Sequence, residues 1–333
     1  MNLKKIFLAV LALLAILWTP IYWYLRNPVF ASGGVTTSRI KIEPARLEAH
    51  VRFLSGMNPN RSFKNVASLA RAEKYIADQF MAIGFPGVEL QKVDADGRVY
   101  HNVIARFGNA KSKDLIVIGA HYDAATESNP GADDNASGVA ALLELARAFQ
   151  TENPTLSVPI EFVAFTLEEP PFFGGREMGS AYHADRLKER GLNVVMMLSL
   201  EMLGYYSNKL FSQGFTLPLL YGFYPWVGNF IGIVGVPADR ALQAKFKKAM
   251  SANSTVPTLS ITSPPIVPGV DFSDQRNYWA HDWPAFMITD TAFLRNDQYH
   301  KEGDTPDRLD YAKMAEVTRG LYAGVLAIAN GPR

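Results

Sequence analysis

The sequence predicts an α/β protein, a three-layer α/β/α sandwich around a mostly parallel central sheet, preceded by one N-terminal apolar helix. Three observations predict it. Short β-like runs alternate with amphipathic helical stretches along most of the chain, which generates parallel strands joined by crossover helices. The run Leu115-Ile116-Val117-Ile118 is apolar throughout, as in a strand covered on both faces. Of the 333 residues, 48% are hydrophobic, enough for a large core and too many for a disordered chain.

The first element is the apolar segment. Lys4 and Lys5 precede an apolar run over residues 6–25, interrupted only by Thr19 and Pro20. Roughly 20 apolar residues suffice to cross a bilayer core as a helix. Trp18, Tyr22, Trp23 and Tyr24 gather at its far end, where rings with one polar edge suit the water interface. Lysines on the short side favour keeping that end in the cytoplasm. Residues 1–30 therefore read as an uncleaved membrane anchor that meets the lipid bilayer through residues 6–25, with the body outside the cytoplasm. The alternative is a signal segment cleaved after Val29-Phe30-Ala31, which would leave a secreted protein. Arg26, Pro28 and the length of the run argue for the anchor. Residues 31–43, with Gly33, Gly34 and a Ser/Thr cluster, read as a polar linker.

The body follows. Apolar positions at helical spacing predict helices over 44–55 and 66–83, and short β-like runs predict strands over 88–93, 99–107 and 115–120. A helix is expected over 134–149, with Val139, Leu142, Leu143, Leu145 and Ala146 as its buried stripe. Then come a strand over 160–167, a helix over 178–190 that stops before Gly191, and a strand over 194–203. An amphipathic helix over 238–251, a strand over 285–289 and a closing helix over 309–329 complete the body. Residues 205–236 are rich in Phe, Tyr and Trp. They read first as core and loop packing, since large aromatics are usually buried, with an apolar substrate wall or a membrane-facing surface as the alternatives. No internal repeat is visible.

Composition narrows the function. The net charge is +1, with no basic excess to draw the chain to nucleic acid. There is no cysteine, hence no disulfide, no thiolate nucleophile and no thiolate ligand. Any metal must be held by histidine and carboxylate, a donor set that suits zinc and some other divalent ions.

The chemistry-bearing residues fall at strand ends. In parallel sheets, sites form beyond the C-terminal ends of the strands, so distant residues can converge there. His121 and Asp123 follow the strand at 115–120, Glu168 and Glu169 follow that at 160–167, Glu201 lies near the end of 194–203, and His300 follows 285–289. Among the histidines at 50, 101, 121, 183, 281 and 300, only His121 and His300 are candidate ligands. A ligating histidine usually gives its second ring N–H to a carboxylate, and Asp123 stands two residues from His121. The block from Gly131 to Gly138 contains Asp133, Asp134 and Asn135 at the expected start of the 134–149 helix. A helix cap accounts for one such residue, not for the block. Glu168 and Glu169, at the edge of an apolar strand, suit one ligand and one proton carrier.

These residues carry a resemblance. The segments Gly119-Ala120-His121-Tyr122-Asp123, Gly131-Ala132-Asp133-Asp134-Asn135-Ala136-Ser137-Gly138-Val139, Phe165-Thr166-Leu167-Glu168-Glu169, Leu200-Glu201-Met202-Leu203-Gly204, and Tyr299-His300 with Asp304-Thr305-Pro306-Asp307 resemble, in order and spacing, the zinc aminopeptidase and glutamate carboxypeptidase superfamily, which includes the glutaminyl cyclases. The match covers residues 115–310.

The resemblance implies a zinc-exopeptidase-like catalytic domain over residues 44–333 and two zinc ions per chain. It implies that Asp134 bridges the metals, with His121 and Glu201 completing one and Glu169 and His300 the other. Glu168 would be the general base and acid, and Asp123 would orient His121. Glu201 stands where the family often has aspartate. Ser273-Asp274 resembles a segment near the family's substrate pocket, but Gln275 replaces the histidine that often follows. Arg295 and Asn296 are further candidates for binding substrate, or simply partners of Asp290 or Asp297. The implied activity is removal of N-terminal residues from a peptide substrate. The alternatives are a single-zinc glutaminyl cyclase, a carboxypeptidase, or a non-catalytic receptor-like homologue.

Overall fold

A computed structural model of the chain describes residues 3–29 and 40–331. The elements in order are α1 (Leu3–Arg26), α2 (Pro44–Ser55), α3 (Val66–Ile83), β1 (Val88–Ala95), β2 (Arg98–Phe107), β3 (Asp114–His121), α4 (Gly138–Glu152), β4 (Ile160–Phe165) and α5 (Gly179–Glu189). They continue as β5 (Asn193–Glu201), β6 (Ile231–Gly235), α6 (Arg240–Ala252), β7 (Thr258–Thr262), α7 (Arg276–Trp279), β8 (Ala285–Thr289) and α8 (Tyr311–Ala329).

All eight strands form one mixed sheet in the order β1-β2-β4-β3-β5-β8-β6-β7. Its centre, β4-β3-β5-β8, is parallel throughout. The edges are mixed: β1 and β2 form an antiparallel hairpin, β2 runs antiparallel to β4, and β6 runs antiparallel to β8. The hairpin turns at Asp96-Gly97, both at positive φ, as a two-residue turn between right-twisted strands requires.

Alternation along the strands separates two cores. Ile116, Ile118 and Ala120 of β3 face the larger one, with Leu142, Leu143 and Phe149 of α4, and residues of α2, α3, α6 and α8. Leu115 and Val117 face the smaller one, with Val163, Phe165, Met197, Leu187 of α5 and Tyr278 of α7. This is the expected sandwich, with helices on both faces of a central sheet. Helix α4 is buried on nearly all sides because it lies between the sheet and the outer helices, and its sequence is correspondingly apolar.

Helix α1 has no buried residue. It is the one described helix long and apolar enough to cross a membrane, a test that signal sequences also pass. Its C-terminal end meets the body through Trp18, which stacks on Phe223, and Arg26, which donates to the Phe223 carbonyl at 3.1 Å.

Several boundaries differ from those expected. The helix predicted from residue 134 begins at Gly138, and Asp134 and Asn135 have non-helical backbones. Local side-chain hydrogen bonds compete with the helix there. Asn135 donates to the Leu200 carbonyl at 2.8 Å and accepts from the amides of Gly138 (3.1 Å) and Met202 (3.0 Å). Strands β6 and β7 were not expected. Each spans five residues, and β6 contains two glycines, too short and too weak in β-propensity to stand out. Within the aromatic-rich stretch, Leu220, Phe223, Tyr224 and Phe230 are buried, whereas Phe211, Tyr221 and Trp226 are exposed. Of the expected linker, residues 31–39 lie outside the described residues, as do Phe30 and Ala31 of the cleavage triplet. Ile40 and Ile42 pack into the larger core.

Candidate active site

The parallel centre of the sheet delivers the site. His121 is the last residue of β3 and Glu201 the last of β5; Glu168 and Glu169 follow β4. Asp134 lies in the irregular turn before α4, and His300 lies in the loop after β8. Three of these positions are reached through left-handed backbone at non-glycine residues: φ is 57° at Leu167, 51° at Met202 and 58° at His300. Such conformations cost on the order of 1–3 kcal/mol each and persist only where surrounding contacts enforce them.

The side chains converge. His121 Nε2 lies 3.3 Å from Asp134 Oδ1, 3.4 Å from Glu201 Oε2 and 3.8 Å from Glu168 Oε2. His300 Nε2 lies 3.1 Å from Asp134 Oδ2 and 3.2 Å from Glu169 Oε2. Asp134 thus turns one oxygen to each histidine. The sets His121–Asp134–Glu201 and Asp134–Glu169–His300 each bring their potential ligand atoms within 4.8 Å of one another.

These close approaches are not hydrogen bonds. His121 Nε2, Asp134 Oδ2, Glu169 Oε1 and His300 Nε2 are all buried with no hydrogen-bond partner. Orphaned buried polar atoms are costly and rare, and four on the residues of one cluster match a cation-binding centre. The donor set of imidazole nitrogen and carboxylate oxygen fits zinc.

Electrostatics lead the same way. Burial pushes the Glu168 carboxyl well above the usual range, Glu169 and Glu201 add to the push, and His121 opposes it. Burial and the Asp134 charge carry Glu169 up to about 8. His121 and His300 overcome burial to hold Asp134 below the usual carboxylate range. So many buried carboxyl groups exceed what two imidazoles can balance, and divalent cations would remove the excess.

A ring of outer contacts fixes the cluster. Asp123 Oδ1 is 3.3 Å from His121 Nδ1, and the Asp123 carboxylate also accepts the amides of Glu168 (3.2 Å) and Glu169 (3.1 Å). Asp304 accepts the amides of Asp133 (2.9 Å) and Asp134 (3.1 Å). Ser273 donates to Glu201 Oε2 at 2.8 Å. Arg61 is fully buried and donates to the carbonyls of Tyr122 (2.9 Å), Pro130 (3.0 Å), Gly131 (2.8 Å) and Leu54. It ties the turn after β3 to the Gly131 turn and sets a positive charge behind the carboxylates. Sequence reading assigned Arg61 and Asp304 no role. Asp304 had a signal, its place four residues after His300; Arg61 is one arginine among many.

The structure does not bring Arg295 or Asn296 to the cluster. Arg295 spends its donors on Gln213 Oε1 (3.0 and 2.9 Å) and on the carbonyls of Tyr205 (3.3 Å) and Phe230 (3.0 Å). Asn296 donates to Asp133 Oδ2 at 3.0 Å. Asp274 is fully buried behind the cluster, beside Ser273. Next to Glu201 opens a cavity of about 120 Å³ whose wall includes Phe215, Leu220, Val270, Phe293 and Tyr299, and no lysine or arginine.

Comparison with known proteins follows the same lines. Residues 102–325 match the profile of "Peptidase family M28". The chain is 43% identical over 326 residues to "Uncharacterized protein YfbL" of Escherichia coli K12, covering 96% of this chain and 98% of that one. It is 26% identical over 285 residues to a "Probable leucine aminopeptidase" of Arthroderma otae, covering 82% of this chain and 70% of that one. The crystal structure of LapB from Legionella pneumophila superposes with a TM-score of 0.70 at 24% identity, covering 87% of this chain and 73% of that one, and shows that the fold is shared.

Proposed function

The chain belongs to peptidase family M28, and on that premise we propose that it is a two-zinc aminopeptidase anchored in a membrane by residues 6–25. The observation that carries the reading is the sharing of Asp134 between two histidine–carboxylate sets. His121 and Glu201 would hold one ion, Glu169 and His300 the other, and Asp134 both. When bound, two such ions supply Lewis-acid activation of a water and of the scissile carbonyl.

The chain's own residues do the rest. Glu168, next in sequence to a proposed ligand and 3.8 Å from His121, takes a proton from the attacking water on its carboxylate and passes it to the leaving amine nitrogen. Its elevated pKa in the apolar, carboxylate-rich site suits a group that must both gain and give up a proton. Asp123 fixes the ring of His121 and, through the two amides, the positions of Glu168 and Glu169.

The apolar cavity beside Glu201 would receive the side chain of the substrate's first residue. The lack of a cationic lining residue favours an amino-terminal over a carboxy-terminal specificity, because a terminal carboxylate needs a basic partner. Residues 44–333 form the catalytic domain, and Lys4 and Lys5 orient it away from the cytoplasm.

The test is metal stoichiometry by mass spectrometry on the full chain in detergent, with hydrolysis of aminoacyl-anilides followed on the same sample. About two zinc ions per chain and chelator-sensitive hydrolysis are expected. One zinc without hydrolysis would replace this reading with a cyclase, and no metal would replace it with a non-catalytic homologue.

A further inference from the structure

Between Lys209 and Asp239 the sequence contains no charged residue and no histidine. Within that stretch Leu210, Phe211, Leu219 and Trp226 are 66%, 68%, 65% and 44% exposed, although burial is the usual fate of such side chains. The catalytic reading uses only the inner side of the segment, where Phe215, Leu220 and Tyr224 wall the cavity beside Glu201. The outer side is unexplained.

Its position relative to α1 is fixed. Trp18 stacks on Phe223 with centroids 5.4 Å apart and planes 8° from parallel. The Tyr224 hydroxyl, which donates to the Ser260 carbonyl at 2.8 Å, lies 3.3 Å from the Leu25 carbonyl, and on another side Arg240 donates to the Trp23 carbonyl at 2.6 Å and Lys247 to the Arg26 carbonyl at 3.0 Å. Trp18 lies just over two turns before the end of α1, about 12 Å along its axis. The loop therefore reaches down beside the last two turns of the apolar helix rather than stopping at its exit. From Tyr224 the rings continue outward without a break: Phe215 at 5.8 Å, Tyr221 at 5.0 Å from Phe215, Trp226 at 6.5 Å from Tyr221, and Phe211 at 5.3 Å from Trp226.

We propose that residues 210–226 lie in the membrane interface beside α1, so that the body rests on the bilayer with its catalytic cavity at the membrane surface. This inference rests on the anchor reading of α1 and extends it to the catalytic domain. Beside the final turns of a spanning helix, an uncharged loop rich in aromatic and leucine side chains meets headgroups and upper acyl chains, where amphipathic rings are most stable. In water the same surface would be a contiguous apolar patch of the kind soluble proteins avoid. Continuity with α1 favours the bilayer over a protein partner.

The chain has no cysteine, so single-cysteine variants carry one label each. Full-length Phe211→Cys, Leu219→Cys and Trp226→Cys would be spin-labelled in vesicles of phosphatidylethanolamine and phosphatidylglycerol. Leu14→Cys in α1 and Met81→Cys, exposed on α3, serve as references. Collision with lipid-dissolved oxygen and with an aqueous nickel chelate is then compared. The expected result is an oxygen-to-nickel ratio severalfold higher at positions 211, 219 and 226 than at 81, approaching that at 14. Aqueous readings at all three with a lipid reading at 14 would overturn the interfacial segment and leave the anchor. Aqueous readings at 14 as well would overturn both. Shielding of the three from both reagents would indicate a protein partner and overturn the proposal too.

Discussion

The Asp123 carboxylate sits 3.3 Å from Nδ1 of His121, and the same carboxylate receives the amides of Glu168 and Glu169. One buried side chain thereby couples the end of β3 to the residues after β4. Replacing it with asparagine keeps the shape but removes the charge and presents an N–H₂ to groups that already donate. Asp123→Asn is expected to weaken metal binding by roughly 10–100-fold, read by titration with a competing chelator. Unchanged affinity would mean that His121 is oriented by packing alone.

Glu168 is not needed to hold a cation in the proposed arrangement. Glu168→Gln should leave the metal content near that of the parent while lowering kcat by roughly 10²–10⁴-fold. Metal analysis and aminoacyl-anilide turnover on one preparation separate these outcomes, and a variant with parental turnover removes Glu168 from the proton path.

Chelation should also be visible in stability. Without a cation, the buried carboxyl groups of Asp134, Glu169 and Glu201 face one another with only two imidazoles between them. At a free zinc concentration 100 times the dissociation constant, mass action adds about 2.7 kcal/mol for one site. A chelator should lower the thermal midpoint by several degrees and added zinc should restore it. A midpoint indifferent to chelator would count against a metal centre here.

Arg61 is expected to be a stability residue with an effect on the site. Its guanidinium satisfies the carbonyls of Tyr122, Gly131 and Leu54 in the interior and that of Pro130, which is half-buried. Arg61→Met would strand them, at roughly 1–3 kcal/mol for each one left without a partner. Urea denaturation should register a loss of several kcal/mol. If the midpoint barely moves, water or neighbouring donors replace the guanidinium.

The Glu161 carboxylate supplies a pH dependence away from the candidate metal site. His183 donates to it at 3.1 Å, Arg106 also donates to it, and together they outweigh burial and hold its pKa at about 2, from an ordinary 4.5. A depressed carboxylate contributes stability above its unfolded pKa and loses it as pH falls through the folded one, so the window runs from about pH 4.5 down to about pH 2. The contribution is roughly 3 kcal/mol. The stability gap between the parent and Glu161→Gln should therefore narrow across that window. A gap independent of pH would assign the effect to packing.

The ligand candidates were legible because each carries its own mark. His121 and Asp123 stand two apart after an all-apolar strand, Glu168 and Glu169 adjoin at another strand end, and Asp134 belongs to an acidic block that no helix cap explains. The alternation of strands and helices made the sandwich legible for the same reason: periodicity is local, and each period names the element that buries it. The short strands β6 and β7 escaped because five residues carry too little period, and glycine interrupts β6 as well.

What the sequence by itself determined, then, is which residue types stand at which strand ends, and that an apolar helix precedes the body. Only the tertiary structure decided that Asp134 turns one oxygen to each histidine, because that depends on where four strands and an irregular turn come to rest together. It also decided that Arg295, near His300 in sequence, turns away to Gln213, and that Arg61, over 60 residues from the Asp134 turn, reaches it. Those relations are long-range, and no local pattern encodes the packing that produces them.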